Sequence, residues 1–218
     1  MIAQEIAVLK SCSVHGYDRD PGVLDLAQAV NRLFDNGNQV KFRLGDISQR
    51  VADPEANGAC VRFVAQYAED LPAFLASVKN WVTPGGFIAI EDVDDGYLIE
   101  HPEPPKAWKA AVKAFQQFQS GQKGDREVGR KLAQAGVEAG LVLSQLSLSP
   151  AVQAHVTKPD SMTVQFDIER IEQVLPRMIQ AGLITESKWY EARSQYRASF
   201  PCFAYTSAAT VRLLFRVP

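Results

Sequence analysis

Acidic residues recur where short strand-like runs end. Asp18 closes Ser13-Val14-His15-Gly16-Tyr17-Asp18, Asp46 follows the run Val40 to Leu44, and Asp92 and Asp94 follow Phe87 to Ile90. A carboxylate at such an end can accept two hydrogen bonds from neighbouring hydroxyls, and a charged acceptor makes a stronger bond than a neutral one. Asp92, Asp94 and His101 are also of the types that take a proton as a general base. Each has a plainer reading, since acids at strand ends cap helices or close turns and loop histidines are commonly just solvated. Other chemistries are poorly represented. Cys12, Cys60 and Cys202 are odd in number and far apart, and His15, His101 and His155 have no metal-ligand spacing. No GxSxG or CxxC occurs, so neither a metal site nor a hydrolase nucleophile is expected.

The elements that must position these acids alternate. Ile2, Ile6 and Leu9 predict a helix over 2–10, followed by the strand that ends on Asp18. Pro21 suits a first helical turn, Val23, Leu26, Ala27, Val30, Leu33 and Phe34 form one apolar stripe, and Asn36-Gly37-Asn38 stops it. Strands are predicted at Val40 to Leu44, Ala59 to Val64 and Phe87 to Ile90. A helix from Leu71 to Trp81 and a Pro84-Gly85-Gly86 turn separate the last two. Near-continuous apolar strands alternating with amphipathic helices indicate an α/β protein with a parallel sheet covered on both faces.

Beyond Glu91 the rhythm changes. A Pro-rich loop, His101 to Pro105, leads into a helix carrying Trp108, Ala111, Val112, Phe115 and Phe118. It reads as a cap element at 96–122, either roofing an apolar substrate or forming ordinary core. Gly124-Asp125 opens another helix with Val128, Leu132, Ala135 and Val137 inward, closed by Gly140, and Leu141 to Leu148 returns as a strand. A helical insertion spans 160–200: Asp167 is a plausible N-cap for a helix through Ile179 that Pro176 should bend, and Thr185 caps a further helix. Ala204 to Val217 reads as a long last strand. The whole, residues 1–218, is taken as one domain.

The order GYDRDPGVLDLA, VKFRLGDI and VRFVAQYAEDLPAFLASVKNWVTPGGFIAIEDVD, from Val14 to the strand after Gly86, resembles the S-adenosylmethionine-dependent methyltransferases of the Rossmann-like class. GDREVGRKLAQAGVEAGL is similar to that family's helix before its late strands. The resemblance implies a sheet of order 3-2-1-4-5-7-6 with a late antiparallel strand, and S-adenosylmethionine as cofactor. It places Asp18 on the ribose hydroxyls, Asp46 on the adenine amino group, and the Ile47 amide and side chain against the ring. Gln66 or Tyr67 would line the pocket near the methionine portion. Ligands on open parallel sheets do bind at the carboxyl ends of strands.

One departure stands out. The family's acid-GxGxG loop, between its first strand and first helix, does not occur in these 218 residues. The reading is therefore of a Rossmann-like methyltransferase sheet lacking its first strand, N-terminally truncated and impaired in cofactor binding. Alternatively, a partner chain or homo-oligomer covers the exposed sheet, or cofactor binding has been abandoned. A net charge of −2 gives no electrostatic reason to expect nucleic acid. No apolar run is long enough to span a bilayer, and a cytoplasmic protein acting on a small organic molecule is expected. The rivals are a nicotinamide-dependent oxidoreductase, which also uses an acid after its second strand, and a non-catalytic interaction protein.

Overall fold

The computed structural model describes residue 3 and residues 12–33, 39–48, 56–122 and 124–218. These fall into two compact units, Met1–Pro54 and Glu55–Pro218. The helix expected over 2–10 and the stop at 36–38 lie outside the described residues.

In the first unit, β1 (Val14–Asp18) and β2 (Val40–Leu44) pair in parallel, from Val14 opposite Val40 to Asp18 opposite Leu44. Helix α1 (Pro21–Asn31) follows β1. Its start is fixed locally: the Asp20 carboxylate accepts from the Gly22 amide at 2.7 Å and from Val23, and Pro21 fills a position whose amide would have no helical partner. Leu24 is its buried residue.

In the second unit, β3 (Ala56–Arg62) runs parallel to β4 (Val82–Val93), with α2 (Leu71–Lys79) between them in sequence. The last strand, β7 (Cys202–Arg216), lies antiparallel to β4. The short β5 (Ile99–His101) and the long β6 (Val142–Thr157) both pair antiparallel with β7. Read in the family's numbering, the first unit carries the pair 3-2 and the second the run 4-5-7-6. Each unit thus carries its own part of the order implied by the resemblance, without strand one among the described residues. Ile88, Ile90, Leu213 and Phe215 form the buried centre of this sheet, with Leu75 and Val78 of α2 also buried.

Several boundaries moved. Pro84-Gly85-Gly86 does not separate two elements but bulges within β4: the register jumps from Ala56 opposite Val82 to Gly58 opposite Phe87. Gly85 takes φ 81° there, and a Cβ on Gly86 would collide with the Asn57 and Thr83 carbonyls. β3 begins and ends earlier than expected, because Phe63 turns the chain at φ 56°. The helix expected from Gly124 starts as a 3₁₀ turn at Val128–Lys131 and continues as α4 (Leu132–Glu138), with Val137 exposed rather than inward. Gly140 ends it at φ 74°.

The cap element and the helical insertion share one core. Helix α3 (Lys106–Gly121) packs with α5 (Met162–Glu172), α6 (Leu175–Gln180) and α7 (Glu186–Ala198) through Trp108, Phe118, Ile168, Met178 and Trp189. Trp108 stacks on Tyr196 with ring centroids 3.9 Å apart and planes 4° from parallel. Trp108 is therefore core, not a roof. Asp167 is not an N-cap: Ser161 caps α5, and Asp167 sits inside it, accepting from the Tyr196 hydroxyl at 3.0 Å. Pro176 bends nothing, since it falls in the first turn of the separate α6.

Candidate functional site

Within the first unit the two expected adenosine-binding acids sit at the carboxyl ends of adjacent parallel strands. The chain leaving β2 is tied to the end of β1 by the Gly45 amide, which donates to the Asp18 carbonyl at 3.0 Å. Asp18 Oδ1 accepts the Asp20 amide at 2.9 Å. Asp46 Oδ1 accepts both the Ser48 amide, at 2.9 Å, and the Ser48 hydroxyl, at 2.6 Å. Those two bonds, the hydroxyl's foremost, hold the Asp46 carboxyl below its ordinary range. In both acids the second carboxylate oxygen has no hydrogen-bond partner among the described residues. Ile47 is half-buried in the same turn. Asp18, Asp46 and Ile47 are thus brought to one edge of the first unit.

In the second unit, Gln66 and Tyr67 form a single 3₁₀ turn just beyond β3 (Ala65–Tyr67). The left-handed Phe63 that precedes it is held by its amide donating to the Glu91 carbonyl at 3.0 Å. Such strain persists only where surrounding contacts over-determine it. Gln66 is buried and anchored on four sides. Its amide donates to Asp92 Oδ2 at 3.2 Å, its carbonyl accepts from the Asp125 amide at 2.7 Å, its Nε2 donates to the Phe63 carbonyl at 3.3 Å, and its Oε1 accepts from Arg126 Nη1 at 3.1 Å. Arg126 is itself held by a two-point pairing with Asp95, at 2.9 and 3.0 Å. Gln66, Tyr67 and Arg126 line a pocket of about 130 Å³ together with Phe118, Gln119 and Gln122 from the end of α3.

The three general-base candidates do not line this pocket. Asp92 is not a loop acid but part of β4, completely buried, its oxygens taken by the Gln66 and Val93 amides. Burial raises its pKa against the lowering effect of those amides. Asp94 is likewise buried, capping the turn Asp95–Tyr97. Burial alone would raise Asp94, but the Arg130 guanidinium, whose Nε donates to Oδ2 at 2.9 Å, and the Gly96 and Arg130 amides bring it below the ordinary range. His101 lies exposed on β5, opposite Tyr205. Arg126, Gln119 and Gln122 had escaped sequence reading. Arg126 stands in a run that reads as a helix opening, and nothing local announces that its partner is sixty positions earlier. Among the described residues no group of His, Cys, Asp and Glu could hold a metal ion, and no helix is long and apolar enough to cross a membrane.

Strand order within each unit, with acids at the strand ends, is that of a Rossmann-like α/β fold. Sequence comparison agrees: residues 2–90 match the methyltransferase domain family, so the resemblance holds in sequence and in fold. A search of curated proteins gave no match. Among solved structures, a protein from Bacillus halodurans assigned as a methyltransferase superposes with a TM-score of 0.60 at 15% identity, covering 94% of this chain and 83% of that one. Phosphoethanolamine N-methyltransferase 2 of Haemonchus contortus, solved with phosphomonomethylethanolamine and S-adenosylhomocysteine, gives 0.52 at 15% identity. It aligns with 99% of this chain, which spans 46% of that enzyme. The [4+2]-cyclase SpnF gives 0.55 at 14% identity, covering 99% of this chain and 72% of its own. At these identities the likeness is one of fold, and a cyclase among the neighbours shows that the fold by itself does not fix the reaction.

Proposed function

We propose that this chain is an S-adenosylmethionine-dependent methyltransferase acting on a small organic acceptor. The observation that carries the reading is the pair of acids at the ends of β1 and β2. Each is fixed through one oxygen by its own turn, and its other oxygen has no hydrogen-bond partner among the described residues. That chemistry fits adenosine: Asp18 accepts from ribose hydroxyls, Asp46 from the adenine amino group, and Ile47 offers apolar surface to the ring. The cofactor supplies an electrophilic methyl group on a sulfonium, which a nucleophile displaces in line. The S-adenosylhomocysteine and phosphomonomethylethanolamine bound by the Haemonchus enzyme support both the cofactor and a small acceptor.

The protein's own contribution is then positioning, which can supply roughly 7–11 kcal/mol to a two-reactant step. Gln66 and Tyr67 present the wall of the pocket beyond β3, and Asp92 braces that wall from behind rather than taking a proton. Arg126, neutralised by Asp95, adds no net positive charge, so the pocket favours a neutral acceptor group over an anion.

Without an acid-GxGxG run in the sequence, affinity for the cofactor weaker than about 10 μM is expected of the 218-residue chain. Equilibrium dialysis with S-adenosylhomocysteine tests this, together with NMR of the Gly45 and Ile47 amides. Saturable binding that perturbs both amides is expected. Asp18→Asn should weaken it about tenfold or more, since a hydrogen bond to a charged group is worth roughly 1.5–3 kcal/mol. Binding indifferent to Asp18→Asn and Asp46→Asn, or no saturable binding at all, would overturn the reading.

A further inference from the structure

We propose that Gln119 selects the methyl acceptor by taking a hydrogen bond from it, so that the occupant of the pocket beyond β3 carries a neutral O–H or N–H donor. Calling that occupant the methyl acceptor rests on the methyltransferase reading; the hydrogen bond itself does not. The pocket measures about 130 Å³. That is below the roughly 300–1,000 Å³ of sites that enclose a whole drug-sized ligand, so it takes one end of a molecule, a small ring or a short chain. Orienting such an end falls to the few polar groups of the lining.

Most of those groups are already committed. Gln66 uses both ends of its side-chain amide, Oε1 on Arg126 and Nε2 on the Phe63 carbonyl. Arg126 gives Nε and Nη2 to Asp95 and Nη1 to Gln66. Gln122 Oε1 accepts from Arg177 Nη2 at 2.9 Å, and that guanidinium lies 4.9 Å from the centroid of the Phe118 ring. Gln119 is different: its Oε1 is enclosed and has no hydrogen-bond partner among the described residues.

An enclosed carbonyl oxygen without a donor costs free energy, and folded proteins keep few of them. The backbone of Gln119 is pinned, since its carbonyl accepts the Gln122 amide at 3.0 Å and the Gly124 amide at 2.8 Å. Relief therefore comes through the side chain. The terminal torsion of a glutamine is broad and roughly two-fold, so a turn about it presents Oε1 to the cavity that Gln119 lines. A donor placed there completes the amide. An anion has no hydrogen to give, and an ammonium finds no carboxylate in the lining to offset its desolvation. An alcohol, phenol or amide meets both conditions.

Phenol and fluorobenzene, nearly equal in shape but only the first a donor, test the proposal. Each is titrated without cofactor into the nitrogen-labelled full chain and followed by NMR at the Gln119 side-chain amide and the Gly124 backbone amide. Saturable shifts at both are expected, with phenol bound about fivefold more tightly. Gln119→Met should bring the two affinities to within about twofold. Gln119→Glu, which keeps an acceptor, should restore the preference for phenol. Gln119→Met should also leave the thermal midpoint no lower, because it removes an oxygen that the fold does not satisfy. No saturable shift with phenol, equal affinities in the wild type, a preference that survives Gln119→Met, or a midpoint lowered by more than about 2 °C in that variant would overturn the proposal. Failure to bind S-adenosylhomocysteine with the phenol preference intact would support the Gln119 hydrogen bond and overturn the methyltransferase reading alone.

Discussion

Replacing Trp108 distinguishes a structural helical cap from a substrate roof. Its indole is 3% exposed, stacks on Tyr196 at 3.9 Å and meets Trp189 at 6.0 Å. Truncation of a buried aromatic to Ala costs roughly 3–5 kcal/mol, including the cavity left behind. The stacked geometry accounts for about 0.5–1.5 kcal/mol beyond area burial, and Trp108→Phe should keep most of it. In a unit of this size each kcal/mol moves the thermal midpoint by about 2–4 °C, so Trp108→Ala should lower it by roughly 6–20 °C. Trp108→Phe should cost less than half as much. Differential scanning calorimetry, with urea unfolding followed by circular dichroism, measures both. A loss below about 1 kcal/mol for Trp108→Ala would refute the packing argument, because no fully enclosed indole is removed so cheaply.

Two other expectations follow from the same unit. Gly136 lies in α4 directly over the Phe215 ring, and a Cβ there would fall well inside contact distance of a fully buried side chain. Gly136→Ala gains about 1 kcal/mol of helix propensity but incurs roughly 1–3 kcal/mol of overpacking, so urea unfolding should show a net loss. Asp92 and Asp94 should titrate in opposite directions when followed by carboxyl carbon NMR, Asp92 above the ordinary range and Asp94 below it. For Asp94 the folded pKa is depressed, so its stabilisation is present above an unfolded pKa of about 4 and is lost as pH falls below it. For Asp92 it is raised, so its contribution is present below about pH 4 and is lost as pH rises through the folded value. Asp94→Asn should accordingly flatten the acid limb of the stability profile, and an unchanged acid limb would remove the Arg130 pairing from the account.

What the sequence disclosed was what is decided locally. Pro21 announces α1, because a proline at the first turn acts locally, while the capping carboxylate of Asp20 beside it was not read. The strand endings at Asp18 and Asp46 were legible for the same reason: each closes a turn with an amide two positions on. The second half of β6 was not legible. Ser149 to Thr157, with a proline and several small polar residues, resembles a loop, and it is a strand because β7 pairs with it from Thr157 opposite Cys202 onward. Asp167 failed similarly, since Ser161 and Asp167 are equally good caps by type. The choice was made by Tyr196, which reaches Asp167 from α7.

The site divides along the same line. Gln66 and Tyr67 were found only through family resemblance, and their anchoring came from residues remote in sequence: Asp92 behind them and Arg126 beside them, the latter oriented by Asp95. The acids after β4 attract notice because carboxylates near a strand end are the right type for proton transfer. Burial argues against that role: Asp92 and Asp94 are closed off from solvent and bonded by amides or a guanidinium, and neither lines the pocket. Asp92, Asp94 and Asp95 instead transmit the position of β4 to the Gln66 turn and to Arg126. The pocket wall is therefore rigid through charge-assisted bonds rather than through its own apolar contacts. Any acceptor specificity it holds is set as much by these braces as by the residues that face the cavity.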